Sequence, residues 1–388
     1  MDFSLTAEQQ AICDEVQKTC APFDDEYWLE RDRNGEFPVE FHRTMAQGGW
    51  LGIAMPEEYG GAGLGATEAG LLMHTVANSS GAMSAASAIH INIFGPHPIV
   101  VFGSDEQKQR WLPELIDGTV QACFGVTEPD AGLNTTSIKT RAVRSDEGYR
   151  VDGRKIWTST AQEAHRIMLL TRTTPKEECA RPTDGMTLFY TSLDRDYCDV
   201  HTIPKMGRAA VDSCEVFIDG LPVPEEDRIG EEGRGFHYLL HSLNPERVLI
   251  ASEAIGIGRN ALARATQYAK DRIVFDRPIG QNQSIQHPLA ENWMELEAAW
   301  LMAMRAASLY DAGQSCGVEA NAAKYLAAEA GFKACTQAVM THGGMGYAKE
   351  FHVERLLREV MITRLAPVSP QLILCNIAEK ALGLPKSY

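Results

Sequence analysis

Tyr149-Arg150-Val151-Asp152-Gly153-Arg154-Lys155-Ile156-Trp157 alternates apolar and polar residues with the period of a half-buried strand. Asp-Gly between two alternating runs favours a two-residue turn, so we expect a hairpin centred on Asp152-Gly153. Similar short runs follow at residues 167–170, 188–190 and 215–218, with no helical pattern between them. Several short strands in succession predict a sandwich or a barrel.

The sequence on both sides of this β region has helical periodicity. A helix is predicted over residues 106–115, and long Ala-rich patterns predict two more over 286–312 and 318–342. Pro245 is placed in the first turn of another helix, where proline is tolerated. We therefore predict a mainly α protein with a central β domain, divided into residues 1–120, 121–233 and 234–388.

Composition excludes several classes of partner. The 388 residues include 36 Lys+Arg and 52 Asp+Glu, giving a formal net charge of −16. Nucleic acids and anionic membranes bind clustered positive charge, so we expect neither as a partner. No apolar run is expected to reach the roughly 20 residues of a membrane helix, and the N-terminus does not resemble a targeting peptide. Nine scattered cysteines without a CxxC pair indicate reduced thiols, so a cytoplasmic protein is expected.

Four short motifs combine residue types that can hold a cofactor or transfer a proton. They are Val126-Thr127-Glu128-Pro129-Asp130-Ala131-Gly132, Pro245-Glu246-Arg247, Arg272-x-x-Phe275 and Gly343-Gly344-Met345-Gly346. Taken alone, each has a structural explanation: a strand-end turn, a helix start that favours a carboxylate, a charged helix end and a helix C-cap. HExxH is absent and the histidines do not cluster with cysteines, so no metal site is expected. The absence of GxSxG, of a P-loop and of a G-x-G-x-x-G motif after a strand excludes the commonest hydrolase, nucleoside-triphosphatase and Rossmann interpretations.

In this order and spacing, the motifs resemble those of the acyl-CoA dehydrogenases, flavoproteins that oxidise acyl-CoA thioesters to 2-enoyl-CoA. The resemblance covers essentially the whole chain, and includes Met55-Pro56-Glu57-Glu58-Tyr59-Gly60-Gly61-Ala62-Gly63, Gly153-Arg154-Lys155-Ile156-Trp157-Thr158-Ser159 and His342-Gly343-Gly344-Met345-Gly346-Tyr347. It implies an N-terminal helical domain, a middle β-barrel or sandwich, and a C-terminal helical bundle. It further implies FAD between the last two domains, a homotetramer built as a dimer of dimers, and an electron-transfer flavoprotein as electron acceptor.

The resemblance also assigns residues to FAD. Val126, Thr127, Trp157 and Ser159 match positions beside the isoalloxazine ring, where hydroxyl donors and an aromatic wall suit a flavin. Positions that match contacts to the rest of the cofactor are Arg272, Phe275 and Gln283 from a neighbouring subunit, together with Met340, Gly344, Ser369 and Gln371. Met340 departs from the family pattern, because a Gln usually makes this contact.

The catalytic base is expected at Glu246. Much of the family has a Glu in the C-terminal loop, where this chain has Pro367, whereas the isovaleryl- and long-chain-type branch places it before an Arg, as in Glu246-Arg247. Proline lacks the N–H with which that loop position polarises the thioester carbonyl. Either Ala366 or Val368 donates instead, or the oxyanion site is built differently. A helix N-terminus would lower the pKa of Glu246, so burial against an apolar acyl chain must raise it.

The remaining substrate contacts are expected at Leu133, Arg247, Ala366 and Pro367. Leu133 replaces a hydroxyl residue, and the small Ala366 implies room for branched or bulky acyl groups. The resemblance thus implies a FAD-dependent acyl-CoA dehydrogenase in which Glu246 takes the α-proton and the β-hydride passes to flavin N5. Two alternatives stay open: an acyl-CoA oxidase or flavin monooxygenase of the same fold, and a non-catalytic acyl-CoA-binding paralogue.

Overall fold

A computed structural model describes residues 3–387, and its N-terminal part is helical. A capping box starts the first helix: the Thr6 hydroxyl accepts the Gln9 N–H at 3.2 Å, and Gln9 Oε1 accepts the Thr6 N–H at 3.1 Å. The helices are α1 (Ala7–Cys20), α2 (Asp25–Asn34), α3 (Val39–Gln47), α4 (Ala66–Ala77), α5 (Ala82–Phe94), α6 (His97–Phe102) and α7 (Asp105–Ile116). The helix predicted over 106–115 is confirmed by α7.

The middle part is an eight-stranded sheet with the order β6-β7-β3-β2-β4-β5-β8, in which β1 also pairs with β4. Strands β1 and β2 run parallel to β4, and the other pairs are antiparallel. The strands are β1 (Ala122–Gly125), β2 (Arg141–Ser145), β3 (Gly148–Ser159), β4 (Arg166–Arg172), β5 (Met186–Ser192), β6 (Cys198–Thr202), β7 (Ser213–Pro224) and β8 (Arg228–Ile229).

Both faces of this sheet are buried, as β4 shows. Ile167 and Leu169 pack into a core that the sheet forms with itself, whereas Met168 and Leu170 pack against the helices. Successive side chains of a strand point to opposite faces, so a strand buried on both faces reads as a continuous apolar run. The β1 end of the sheet is thereby held against the helical parts of the chain.

The hairpin turn expected at Asp152-Gly153 is wrong. The turn lies at Asp146-Glu147, between the paired ends of β2 and β3, and β3 continues through Gly153 as one 12-residue strand. Its pairing register with β7 shifts at this point, which marks a bulge. Glycine is required there, because a Cβ at position 153 would lie 2.3 Å from Thr140 Oγ1.

The C-terminal part is a bundle of long helices. They are α8 (Gly235–Asp271), α9 (Gln283–Asp311), α10 (Gly317–His342), α11 (Val353–Leu365) and α12 (Pro370–Lys380), with a two-stranded hairpin of β9 (Ile273–Val274) and β10 (Arg277–Pro278) between α8 and α9. The helices predicted over 286–312 and 318–342 are confirmed by α9 and α10, and the mainly α architecture with a central β domain is confirmed as well. The divisions after residues 120 and 233 stay predictions.

Helix α8 starts ten residues before Pro245, so the expected start at Pro245 is wrong. Tertiary contacts extend the helix: Tyr238 and Leu239 are buried against the sheet, and the Tyr238 hydroxyl accepts the Glu231 N–H at 3.0 Å. At the first residue, a Cβ on Gly235 would lie 2.5 Å from the Leu188 backbone nitrogen. Glycine thus lets the helix start directly against β5.

One stretch, Ala82–Phe102, is long and apolar enough to cross a membrane, contrary to the expectation that no such run exists. It comprises α5 and α6, and 72% of its most apolar window is buried inside the protein. A core helix of a soluble protein has the same properties, so this stretch is weak evidence for a membrane span. In the fold, α5 contacts α8, α11 and β1 and lies where the three parts of the chain meet.

Candidate active site

Two segments assigned to the flavin ring lie side by side. The Ile156 N–H donates to Thr127 O at 2.9 Å, so Val126–Thr127 runs next to Trp157. The buried Lys155 fixes this arrangement, because its Nζ donates to Val126 O at 3.1 Å and to a Glu128 carboxylate oxygen at 2.9 Å. Burial lowers the pKa of Lys155 to about 8, against the opposing effect of the Glu128 carboxylate.

The Glu128–Lys155 pair was not predicted from the sequence. The Glu128 carboxylate also accepts the backbone N–H groups of Lys139 at 2.6 Å and Thr140 at 2.9 Å, so its charge is fully engaged. The sequence does contain an indication of it. Lys155 is four residues after Val151 in the alternating run, so its side chain lies on the same inward face, where an apolar residue is expected. An inward lysine in a strand requires a buried acceptor.

Trp157 has a strained backbone and an exposed ring. Its φ is 61°, which bulky L-residues rarely adopt, and its side chain is 56% exposed. Such strain costs about 1–3 kcal/mol and is found at functional sites. The Thr127 and Ser159 hydroxyls near it make no side-chain hydrogen bond within residues 3–387. The C-terminal end of β3 therefore offers an exposed aromatic ring with two hydroxyl groups available nearby.

Glu246 lies inside α8 rather than at its start, eleven residues after Gly235. The lowering of the Glu246 pKa that was expected from a helix N-terminus therefore does not apply. Burial raises the pKa of the Glu246 carboxyl to about 7, although the nearby cations His90 and Arg247 act to lower it. The residue as a whole is half-buried, whereas its carboxyl group is surrounded by protein. Its burial is by protein groups, before any acyl chain is added.

A buried histidine–carboxylate pair lies next to Glu246. His90 Nδ1 on α5 is 2.6 Å from Glu253 Oε1, and Glu253 is two turns beyond Glu246 on α8. Burial acts to lower the pKa of His90, but the Glu253 carboxylate outweighs it and the pKa is raised. Sequence reasoning missed both residues, because neither belongs to a short motif.

The next residue along α8, Arg247, lines a cavity of about 400 Å³. Arg247 Nη1 donates to Asn244 Oδ1 at 3.0 Å, whereas Arg247 Nε and Asn321 Oδ1 are buried without a hydrogen-bond partner in the described chain. The cavity lies between α8, α10 and α12, and the C-terminal segment closes it. Its principal lining residues are Arg247, Asn321, Val368, Leu372, Asn376 and Lys380.

The loop between α11 and α12 contains Ala366 and Pro367, joined by a cis peptide bond. The Ala366 N–H donates to Ile362 O at 2.9 Å and completes the end of α11. The Val368 N–H has no acceptor among residues 3–387, and the Val368 carbonyl accepts the buried Lys324 Nζ at 2.7 Å. The Ala366 N–H is thus already used in α11, whereas the Val368 N–H is available as a backbone donor.

The residues assigned to the distal part of FAD lie on the exposed face of the C-terminal bundle. Phe275 is 94% exposed at the tip of the β9–β10 hairpin, and Met340 is 69% exposed near the end of α10. Arg272 and Gln283 are exposed as well, and a Cβ on Gly344 would meet nothing within 4 Å. No hydrogen bond or buried cluster in the described chain joins this set to the flavin-ring set.

Three further assigned residues lie at loop ends. The Ser369 hydroxyl caps α12 by accepting the Leu372 N–H at 3.3 Å, and Gln371 is exposed in the first turn of that helix. Leu133 is 66% exposed in the segment between β1 and β2. All three are accessible to a ligand, although Ser369 also has a structural role.

The chain matches three domain families of known proteins. The acyl-CoA dehydrogenase N-terminal domain matches residues 6–119, the middle domain matches residues 123–221, and the C-terminal domain matches residues 233–381. The three matches follow one another along almost the whole chain. They coincide with the helical, β and helical parts of the structure.

Individual relatives agree. Acyl-CoA dehydrogenase FadE12 of Mycobacterium tuberculosis is 36% identical over 399 residues, covering 100% of this chain and 99% of the relative. The caffeyl-CoA reductase-Etf complex subunit CarC of Acetobacterium woodii is 32% identical, covering 86% of this chain and 87% of CarC. The structure of butyryl-CoA dehydrogenase from Megasphaera elsdenii superposes with a TM-score of 0.93 at 29% identity, covering 99% of this chain and 100% of the other. The chain is therefore an enzyme of the flavin-dependent acyl-CoA dehydrogenase family.

Proposed function

We propose that the protein oxidises an acyl-CoA thioester to the 2-enoyl-CoA, with Glu246 as the base that removes the α-proton. The observation that carries this proposal is the position of Glu246 on α8 before Arg247, with a carboxyl whose pKa is raised to about 7 by burial. A general base is most effective when its pKa lies near the working pH. The raised pKa thus supports a role in proton abstraction rather than in capping a helix.

Glu359 is a second buried carboxylate, and its contacts argue against a role as base. Its Oε2 accepts the Ser84 N–H at 3.1 Å, and its Oε1 accepts the Ser84 hydroxyl at 2.6 Å and Arg355 Nη1 at 3.2 Å. Both oxygens are therefore engaged in fixing α11 to α5. A proton acceptor needs a free lone pair directed at the substrate, which favours Glu246.

The backbone donor to the thioester carbonyl is then the Val368 N–H, because Pro367 has no N–H. The support is that the Ala366 N–H is used in α11 whereas the Val368 N–H has no acceptor in the described chain. Lys324 holds the Val368 carbonyl at 2.7 Å and so fixes the orientation of the loop. One donor to a developing oxyanion contributes about 2.7–4 kcal/mol in other enzymes, so this orientation matters for the rate.

The residues present fit FAD. The exposed Trp157 ring suits the flat face of an isoalloxazine, and the available Thr127 and Ser159 hydroxyls suit its polar edge. Val126 directly precedes Thr127 in the same segment. FAD, when bound, accepts the hydride from the β-carbon of the substrate. The positively charged Arg272 suits the pyrophosphate. The other residues that would hold FAD are Phe275, Gln283, Met340, Gly344, Ser369 and Gln371.

The cavity beside Arg247 is the proposed entry for the CoA part. Of the residues that line it, Arg247 and Asn321 have buried polar atoms without a partner in the described chain (Nε and Oδ1), and Lys380 is paired with Glu379 at 2.6 Å. A thioester that enters here brings its α-carbon past Glu246 and its carbonyl toward Val368. Leu133, Ala366 and Pro367 are proposed as further contacts, and the small Ala366 leaves room for a branched acyl group.

Assembly and electron transfer complete the proposal. Because Arg272 and Phe275 project from the surface, we propose that they complete the FAD site of a neighbouring subunit in a homotetramer. We also propose an electron-transfer flavoprotein as electron acceptor, supported by the relative CarC, whose name places it in a complex with Etf.

The test of the proposed base is Glu246→Gln. The variant should bind FAD and enoyl-CoA as wild type does, whereas anaerobic flavin reduction by acyl-CoA should slow by several powers of ten. The exposed Glu291→Gln on α9 serves as the control and should reduce at the wild-type rate. Near wild-type reduction in Glu246→Gln would show that another group is the base.

The alternatives separate in a second measurement. After anaerobic reduction, a dehydrogenase should reoxidise slowly in air, and an electron-transfer flavoprotein should accelerate the reoxidation. Rapid peroxide formation would indicate an oxidase, and stable hydroxylated product would indicate a monooxygenase. A protein that binds acyl-CoA without any bleaching of the flavin would be a non-catalytic paralogue.

A further inference from the structure

A buried histidine–carboxylate pair links α5 to α8. His90 is 8% exposed and Glu253 is 1% exposed, and His90 Nδ1 lies 2.6 Å from Glu253 Oε1. Burial alone would remove the proton from the imidazole, but the Glu253 carboxylate raises the pKa of His90 and so favours the charged form. Within residues 3–387 the His90 ring makes no other hydrogen bond. An apolar pair of similar volume is often at least as stable as a buried ion pair, so packing alone does not account for these two residues.

The pair lies on the face of α8 from which Glu246 projects. Glu253 follows Glu246 by seven residues, which is close to two helical turns and about 10 Å along the axis. His90 reaches this face from α5, which packs against α8. The proposed base and the ion pair are thus neighbours along one surface of the helix.

Charged groups from three helices surround the Glu246 carboxyl. Burial has the largest effect on the pKa of Glu246 and raises it, whereas His90 of α5 has the next largest effect and lowers it. On α8, Arg247 lowers this pKa and Glu253 raises it, and Lys324 of α10 lowers it by a smaller amount. His90 therefore exerts the strongest influence among these charged neighbours of the base.

His90 is itself faced by charges from α8 and from the loop between β6 and β7. Glu253 and Glu246 raise the pKa of His90, whereas Arg208 of the loop lowers it. Without Glu253, burial would favour the neutral imidazole. Without His90, the Glu253 carboxylate would oppose the ionisation of Glu246. The two members of the pair therefore depend on each other for their combined effect on Glu246.

We propose that His90 and Glu253 are positioning residues for the base: their paired charges offset one another at Glu246 and set the pH at which it takes the α-proton. Neither side chain is proposed to touch the substrate, and both act through Glu246. The inference rests on the proposed role of Glu246 in the dehydrogenase reaction.

The test measures anaerobic flavin reduction by acyl-CoA as a function of pH, with the holoenzyme. His90→Gln removes the cation and leaves the Glu253 carboxylate near Glu246, so the ionised base is disfavoured. A unit charge at about 10 Å, with an effective dielectric constant of about 20, shifts a pKa by about one unit. The pH of half-maximal reduction should therefore rise by about one unit, which makes reduction about tenfold slower at pH 6 and leaves it nearly unchanged at pH 9.

Two further variants separate the effect of charge from that of structure. His90→Gln/Glu253→Gln removes both charges and should return the pH profile close to that of wild type, although the contact between α5 and α8 stays altered. His42→Gln, at a buried histidine of α3 beside the neutral Asn92, is the control and should leave the profile unchanged. Equal displacement of the profile in the single and the double variant, or no displacement in either, would overturn the inference.

The coupling can also be measured without turnover and without a change at His90. Because coupling between two sites is reciprocal, loss of the Glu246 charge should lower the pKa of His90. In NMR spectra of histidine-labelled holoenzyme, the His90 imidazole, identified by its absence from the double variant, should titrate at lower pH in Glu246→Gln than in wild type. An unmoved titration would contradict the inference, whereas a wild-type flavin that no acyl-CoA reduces would contradict the proposed function instead.

Discussion

Glu246 illustrates how one residue links chemistry to stability. The folded protein retains the Glu246 proton up to pH of about 7, whereas the unfolded chain releases it near the ordinary value of 4.5. Between these values the folded state binds more protons, so the unfolding free energy contributed by this group falls as pH rises. Above pH 7 the buried carboxyl is ionised and active as a base, and its charge then lowers the free energy of unfolding by the full amount.

This fall of stability with rising pH leads to a prediction for a neutral variant of Glu246. Glu246→Gln mimics the neutral carboxyl, so the variant should be more stable than wild type at pH 8 and nearly equal to it at pH 4.5. Thermal unfolding of both proteins across this range checks the prediction. A stability difference that does not grow with pH would mean that the Glu246 carboxyl is not held neutral by burial.

The second prediction concerns Lys324, whose Nζ binds the Val368 carbonyl. Its charge also lowers the pKa of Glu246. Lys324→Met should therefore raise the pH at which flavin reduction reaches half its maximum, and should reduce the maximal rate because the loop loses its anchor. Lys333→Met on the same helix is the control, since Lys333 makes exposed ion pairs with Glu291 and Glu295.

The pH profile distinguishes a positioning role from a structural one. If Lys324 only stabilised the fold, Lys324→Met would lower the melting temperature without moving the profile. An unchanged profile together with an unchanged maximal rate would contradict the proposed orientation of the Val368 donor.

At the scale of elements, the Lys155–Glu128 pair joins two segments of the sheet. Lys155→Met leaves the Glu128 carboxylate buried without its cation, which in other proteins costs about 3–5 kcal/mol. We predict a stability loss of this order and loss of FAD retention, because Val126–Thr127 would no longer be held beside Trp157. Denaturant unfolding and flavin content are the measurements.

The double variant Lys155→Met/Glu128→Gln provides the control for that prediction. Removing both charges should recover much of the stability, since no isolated charge remains buried. Failure of the double variant to recover would show that the hydrogen bonds of Glu128 to the Lys139 and Thr140 N–H groups matter more than its charge.

At the scale of the whole molecule, the exposed tip of the β9–β10 hairpin leads to a prediction about assembly. Phe275 is 94% exposed, so its ring is hardly covered by residues 3–387, and Phe275→Ala should leave the unfolding of the single chain unchanged. We predict that it weakens assembly and lowers the FAD content below the expected one per chain. Light scattering and flavin absorbance check this, with Phe3→Ala, 74% exposed, as the control. Unchanged assembly and flavin content would contradict the proposed intersubunit contact.

The sequence determined the order of helical, β and helical parts, because periodicity is a local property that each segment carries by itself. It also predicted Glu246, Trp157 and Arg272 as site residues, through a resemblance that depends on residue types at fixed spacing, and these assignments stay predictions. It failed at Asp152-Gly153, where the local preference for a turn was overridden by pairing with β7. It failed again at Pro245, because contacts of Tyr238 and Leu239 with the sheet extended α8 upstream.

Only the tertiary structure decided the electrostatics of the site. Glu246 and His90 are 156 positions apart in the sequence numbering, and the Lys324–Val368 bond spans 44 residues. A pKa depends on the charges and burial that surround a group, and folding alone brings those neighbours together.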